Sequence, residues 1–489
     1  MLRWVSLLFL VVAATASGCA SAPKPAETIA TAFRPNPEIQ PLPPTHPQQT
    51  APPASTIRRV NYVVPVPEPV APEIPTGALF GADASLDDLL GFALAHNPEI
   101  QAVHMEAHAL EARVPQVAAL DDPMLMTTAF LEPVETAAGP QEVMLSLSQK
   151  IPWFGKRDMR GDVAYHEAQA AFARLAAAQL RVIEQVKLAY YELYFIERST
   201  DVNRQLEDRI KQVITLAKTK YENAAEKTGL ETVLQAQVEL AQREIELVQL
   251  DQARAKAKAR LIKALHAPPG ATIELKPLLP ETNVPRTAAV LVALIDQCQP
   301  KLDALRREMN RDQAALALAD RNYYPDVTIG MNWYSIGSPG LSPVANGNDA
   351  TSLLVGVNLP IYRQKLHAAV REAQFQAART SQQYDATWDA LRANVQTLHA
   401  EAAQHDRIAK ILDKTILPKA KQTLTLSLDA FRVDRITFPQ LIENYKTLLR
   451  YRLDYHRREA QRAQALAALE RAVGCAITTW PPSSLPVKP

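Results

Sequence analysis

Between Trp153 and Ala267 the chain contains no proline and only three glycines, Gly155, Gly161 and Gly229. Read as one helix, the stretch from Lys156 to Asn223 reaches about 100 Å at ~1.5 Å per residue. A globular domain has no use for such a rod. Its apolar residues fall at Val182, Val186, Ala189, Leu193 and Ile196, then at Leu206, Ile210, Val213 and Ala217. This 4-3-4-3 spacing makes a narrow seam for a neighbouring helix rather than a broad core-facing side. A return helix follows Gly229, with Leu230, Leu234, Gln237 and Leu240 or Ala241 on one side.

The rod occurs twice, because the chain repeats itself. "HNPEIQAVHMEAHALEARV" from His96 is echoed by "CQPKLDALRREMNRDQAAL" from Cys298, and "LDDPMLMTTAFL" by "RNYYPDVTIGMNWY". "EVMLSLSQKIPWFGKR" from Glu142 is echoed by "TSLLVGVNLPIYRQKL" from Thr351. Pro98 to Pro300 and Pro123 to Pro325 are both shifts of 202, while Pro152 to Pro360 is 208. The six extra residues lie in a Gly/Pro-marked loop around Gly337, Pro339, Gly340, Pro343 and Gly347. Each unit reads helix, strand, strand, long helix, turn, helix. The first is expected over 86–285, with helices near 97–118, 156–223 and 229–266 and strands near 124–131 and 142–151. The second is expected over 286–480, with helices near 300–322, 364–431 and 439–473 and strands near 326–334 and 352–360. Pro418 predicts a kink in the second long helix, and Pro439 sits in a first helical turn, where its missing N–H costs little. Residues 481–489 form a tail.

The strand-like segments alternate. Val327, Ile329, Met331 and Trp333 interleave with Thr328, Gly330, Asn332 and Tyr334, and Leu353, Val355, Val357 and Leu359 with Ser352, Gly356 and Asn358. Val143, Leu145 and Leu147 interleave with Ser146 and Ser148, Met144 being an exception. Such a pattern suits a strand with lipid on one side and a watery lumen on the other, and equally a half-buried strand of a soluble sandwich. Length favours the membrane, since roughly nine residues match a tilted crossing. Four strands cannot close even the smallest barrel of about eight, and an open edge in lipid leaves backbone groups unpaired. Strands placed in a membrane therefore demand a wall shared between copies of the chain.

The N-terminus has Arg3, an apolar run from Val5 to Ala14 and small residues before Cys19, a secretory signal expected over 1–18. Ala16-Ser17-Gly18-Cys19 resembles a bacterial lipobox, which implies lipidation of Cys19 as the first residue of the mature chain; an ordinary signal cleaved nearby is the alternative. The segment 19–76 holds 15 of the 37 prolines and reads as an extended tether. No other window supplies the ~18 uninterrupted apolar residues of a membrane helix. The two later cysteines, Cys298 and Cys475, are too far apart in sequence to be paired without geometry. A net charge of +1 argues against a nucleic-acid partner.

Taken together, the tandem unit, the two strand pairs, the rod-length helices and the lipobox resemble the TolC family of outer-membrane channel proteins, over about Leu86 to Ile477. Ser148 to Arg157, "SQKIPWFGKR", resembles the strand-to-helix junction of that family's heavy-metal efflux branch. The resemblance implies a mainly α fold with a small β part. Three copies would form a twelve-stranded barrel in the outer membrane continued by a long periplasmic α-helical barrel. It further implies a homotrimer working with a periplasmic adaptor and an inner-membrane pump of the RND type. Family tips carry an aromatic residue, a glycine and an apolar pair; here Tyr221 precedes Val233-Leu234 and Phe431 precedes Leu441-Ile442, with Ala224 and Asp434 where glycine is usual. By resemblance, Asn223, Ala224, Val433, Asp434 and Arg435 would meet the adaptor, and Glu443 would face the lumen at a constriction. The bland alternative pairs Glu443 with a neighbouring Arg or Lys on a solvated helix face.

Enzymatic chemistry finds little footing. His104 and His108 lie one turn apart with Glu111 three residues on, a spacing able to chelate a divalent metal, but a solvated helix face explains it as well. There is no phosphate-binding glycine loop, Gly-x-Ser-x-Gly elbow or Cys-x-x-Cys pair. The expectation is a passive conduit without enzymatic activity or cofactor. Metal cations fit the Gly-Lys-Arg junction as cargo, and drugs, small solutes and secreted polypeptides stay open. A structural envelope lipoprotein without a channel is the reading of a different class.

Overall fold

The computed structural model describes residues 78–477 except 82–83, 224–227, 269–270, 280–283, 285–286, 339–345 and 434. Each unit begins with two helices where the sequence suggests one. Helix α1, Leu86–His96, starts on a Ser85/Asp88 capping box, and α2, Pro98–Ala118, starts on Asn97. A residue before proline is driven out of the helical region, so Asn97 adopts φ −72°, ψ 117° and its side chain accepts the N–H groups of Glu99 and Ile100. The second unit repeats the device: α5, Ala288–Cys298, breaks at Gln299, which caps α6, Pro300–Arg321.

The strands form one antiparallel sheet in the order β2-β3-β5-β6. They are β2, Met124–Thr136, β3, Gly139–Ile151, β5, Val327–Ile336, and β6, Ala350–Val357. The first hairpin is longer than its alternation suggests. Its register shifts between Ala129 and Val134, where Pro133 sits in the irregularity, and pairing then resumes to Thr136↔Gly139. A separate parallel pair, β1, Ala78–Phe80, with β4, Thr272–Ile273, was not legible in the sequence.

Helix α3 runs unbroken over Lys156–Asn223 and returns as α4, Thr228–Leu265. The second long helix is segmented: α7, Arg363–Ile411, passes into a π-helical turn, Leu412–Ile416, before α8, Leu417–Arg432. Pro418 has no N–H to give the preceding turn and its ring crowds that turn's carbonyl, and the wider π turn absorbs both. Helix α9, Phe438–Val473, returns. The predicted seam is buried, Val182, Val186 and Leu193 packing with Leu89, Leu261 and Ala467, and Leu206, Ile210 and Val213 packing with Leu424, Leu441 and Tyr445. A third cluster joins Leu291 and Ile295 to Val395, Ala402, Leu466 and Leu469. On α4 the buried residues are Val233 and Ala236, and Leu234 is exposed. Among the described residues no helix is long and apolar enough to cross a membrane.

Candidate functional site: an open sheet and a helical tip

The sheet register sorts side chains by chemistry. Leu125↔Leu147, Leu147↔Met331 and Met331↔Leu353 put one apolar row across all four strands, and all four residues are exposed. The next row, on the opposite face, is Met126, Ser146, Asn332 and Ser352, with Asn332 Nδ2 donating to Ser352 Oγ at 3.1 Å. Val355 and Val357 extend the exposed apolar face. Among the described residues β2 and β6 each have one paired side only, so both carry free edges. At the helix-proximal end of the sheet, Phe154, Leu359, Ile361 and Tyr362 are largely exposed.

Sheet and rods are pinned by a buried ion pair that sequence reasoning missed. Lys156, at the start of α3, donates from Nζ to Asp326 Oδ1 at 2.7 Å and to the Tyr324 carbonyl at 2.8 Å. The Trp153 N–H donates to the same Asp326 oxygen at 3.1 Å, while the Trp153 ring stacks on Tyr324. The Asp326 N–H donates to Asn358 Oδ1, and Lys150 stands 3.6 Å from the carboxylate. The two paired side chains are only 4% and 10% exposed. Burial alone would raise the Asp326 pKa, but hydrogen bonds from Lys156 and Trp153, with the charges of both lysines, outweigh it and hold the carboxyl below its usual range. The signal that could have found this pair is a lysine in a strand-to-helix turn, where an unpartnered charge does not stay buried.

At the far end of the rods, α8 and α9 meet in a hairpin sealed by Phe431, Phe438, Leu441 and Ile442, all buried. Thr437 and Gln440 form a capping box, and the Arg435 N–H donates to the Ala430 carbonyl at 2.9 Å, closing α8 without glycine. Val433 is exposed to 62% at the apex, and Arg435 is also exposed. Asn223 is the last residue of α3. Ala224 and Asp434 lie outside the described residues, as does Cys19. Glu443 lies one turn into α9, exposed, in a groove with Glu231, Leu234, Val238 and Lys446. Lys446 spends its charge on Glu239 across the α4–α9 contact, and among the described residues Glu443 has no ion-pair partner. The outward apolar residues of α4, Leu234, Val238, Ile245 and Val248, form a stripe that is more than half exposed.

The two histidines face each other without a third ligand among the described residues. His104 Nε2 lies 3.1 Å from His108 Nε2, and His108 Nδ1 lies 3.0 Å from Glu111. The carboxylate thus engages the ring nitrogen away from His104, and among the described residues no group of three or more ligating side chains converges. Cys298 and Cys475 are both free and half-buried.

A sequence model described as "outer membrane efflux protein" matches the chain twice, over residues 89–266 and 291–475, more than half its length. The chain is 24% identical over 415 residues to the cobalt-zinc-cadmium resistance protein CzcC of Cupriavidus metallidurans, covering 83% of this chain and 92% of that one. Its fold is similar to a crystal structure of a membrane protein from Pseudomonas aeruginosa, with TM-score 0.66, 17% identity and coverage of 81% and 92%. It is also similar to the outer membrane protein VceC from Vibrio cholerae, with TM-score 0.65, 19% identity and coverage of 80% and 96%.

Proposed function

The chain belongs to the outer membrane efflux protein family, and from that premise we propose that three copies build the passive exit duct of a tripartite export system. The observation that carries the proposal is the sheet. Its apolar face is exposed while the opposite face carries Ser146, Asn332 and Ser352, and β2 and β6 are each open along one edge. Lipid cannot satisfy those edges. Twelve strands from three chains can, with lipid outside and water inside. The exposed Phe154 and Tyr362 suit the membrane–water interface at the barrel's periplasmic rim, and the outward stripe of α4 suits a neighbouring copy's helices.

Below the rim the long helices continue as a tunnel, ending where Asn223, Ala224, Val433, Asp434 and Arg435 meet a periplasmic adaptor. That adaptor links the duct to an inner-membrane pump of the RND type, which supplies the energy. Cys19 bears the lipid anchor and 19–76 spans from it. Similarity to a protein named for cobalt, zinc and cadmium resistance supports divalent metal cations as cargo, and Glu443 in three copies makes a ring that attracts them. The experiment is to purify the protein in mild detergent, measure its mass in solution and record from planar bilayers. A trimer with stable conductance is expected. A monomer, or protein that stays soluble once the acyl anchor is removed, overturns the proposal.

A further inference from the structure

Besides Cys19 the sequence has two cysteines, Cys298 and Cys475, and the fold brings their backbones together. Cys298 ends α5, and Cys475 follows Gly474, which terminates α9 at φ 97°. Gln299 Nε2 donates to the carbonyls of Arg471 at 3.0 Å and Ala472 at 2.7 Å, satisfying two open acceptors at the end of α9. A Cβ on Gly474 would lie 2.5 Å from the Cys298 carbonyl oxygen and 2.6 Å from the Gln299 Cα. Only glycine allows the two backbones to approach so closely here. Cys475, the residue after Gly474, is thereby held beside Cys298, near enough for each thiol to act on the other. Burial first, and the neighbouring Cys298 thiol second, push the Cys475 thiol up to about 12.

The first unit builds the same corner without sulfur. A shift of 208 maps Gly474 onto His266, whose φ is 51°, and Cys475 onto Ala267; a shift of 202 maps Cys298 onto His96. His96 stacks on Phe92 and hydrogen-bonds its carbonyl instead. The corner therefore folds without cysteines, and the thiol pair is an addition to the second copy.

We infer that Cys298 and Cys475 form a disulfide in the mature protein, stapling the end of α9 to the α5–α6 junction and closing the second unit into a loop. The inference rests on the periplasmic placement under "Proposed function", where thiols meet an oxidising compartment. The oxidant is a protein disulfide. The Cys298 sulfur attacks it, releasing one partner thiol, and Cys475 then displaces the second from the mixed disulfide. The chain loses two electrons and two protons, and the oxidant gains both.

The test uses full-length protein in isolated outer membranes, dissolved in denaturant with a maleimide to block free thiols, then digested and read by mass. The expected result is that the peptides bearing Cys298 and Cys475 are joined to each other and take label only after reduction. Maleimide on both without reduction overturns the inference, as does a bond between two copies of the chain. In that event, exposing purified, detergent-solubilised protein to oxidised glutathione separates the causes. Ready pairing faults the compartment, and no pairing faults the geometry. A Cys298→Ser variant should leave Cys475 labelled without reductant and conductance unchanged.

Discussion

The two tandem units share their corners and differ along their rods. Val473 ends α9 where Leu265 ends α4, a shift of 208, and each is followed by a residue of positive φ. Asn97 and Gln299 cap corresponding helices ahead of a proline at a shift of 202. Between these matched ends, the first unit's descending arm is an uninterrupted helix and the second's is divided by a π turn. From Lys156 to Tyr221 is 65 residues, and from the matching Gln364 to Phe431 it is 67. A π turn takes up one residue more than an α turn, so the interruption absorbs part of that excess. The lesson is that duplication conserves where helices stop, while the spans between stops are free to diverge.

The sharpest divergence is at the sheet-to-rod junction. Lys156 comes from the first unit and Asp326 from the second; their repeat counterparts, Gln364 and Met124, make no such pair. Replacing Lys156 by Ala leaves a buried carboxylate with the Trp153 N–H and the more distant Lys150 as partners, so the expected loss is about 3 kcal/mol, at the low end for a broken buried pair. Gln364→Ala, at an exposed site, should stay within about 0.5 kcal/mol. Denaturation of the detergent-solubilised protein measures both, and equal losses would erase the asymmetry. A pH profile sharpens the same comparison. The Asp326 carboxyl is held below the usual carboxylate range. Its contribution is present above the unfolded value and is lost as pH falls through the lower folded value. Stability should therefore drop below about pH 4, and Lys156→Ala should flatten part of that drop.

Pro418 is the next way to break the comparison. Substituting Ala restores an N–H to the ladder and removes the ring that the π turn accommodates. The second arm should come to resemble the first, with amide exchange across Leu412–Ile416 slowed by about tenfold, ~1.4 kcal/mol of local opening. Unchanged exchange would mean that the excess length, rather than the proline, holds the turn. A conductance gated less readily by adaptor would follow if the π turn is the hinge of the second hairpin.

Features with their own period were legible in the sequence: the repeat, the rod and its buried seam, and the alternation that the register sorts into apolar and polar rows. Features decided between distant segments were not. Lys156 and Asp326 are 170 residues apart, and an expectation of internal symmetry directs attention to equivalent positions instead of complementary ones. The short helices α1 and α5 were missed because their apolar residues run into those of the next helix, and only the proline at its N1 position separates them. The first hairpin looked shorter because Pro133 and Pro140 interrupt its alternation. On α4, two apolar stripes coexist, and the sequence does not say which one the chain buries for itself and which it leaves for a neighbour. At the second tip, closure of α8 without glycine depends on the Arg435 N–H reaching the Ala430 carbonyl, which no spacing announces.

The two hairpin tips offer a third comparison with smaller effects. Thr437→Ala removes the capping box at the start of α9 and should cost about 1 kcal/mol, read as a lowered unfolding midpoint of that hairpin. Glu443 is the finest test, because it is exposed and leaves the fold alone. In the groove between α4 and α9, Lys446 is held by Glu239, and among the described residues Glu443 has no ion-pair partner. Glu443→Gln preserves shape and removes one charge per copy, so single-channel cation preference should fall by about twofold in low salt and less in high salt, where screening shortens its reach. Lys446→Ala should move selectivity the opposite way by freeing Glu239. If both variants behave like wild type, the constriction lies elsewhere on the rods and the acidic groove is only a solvated surface.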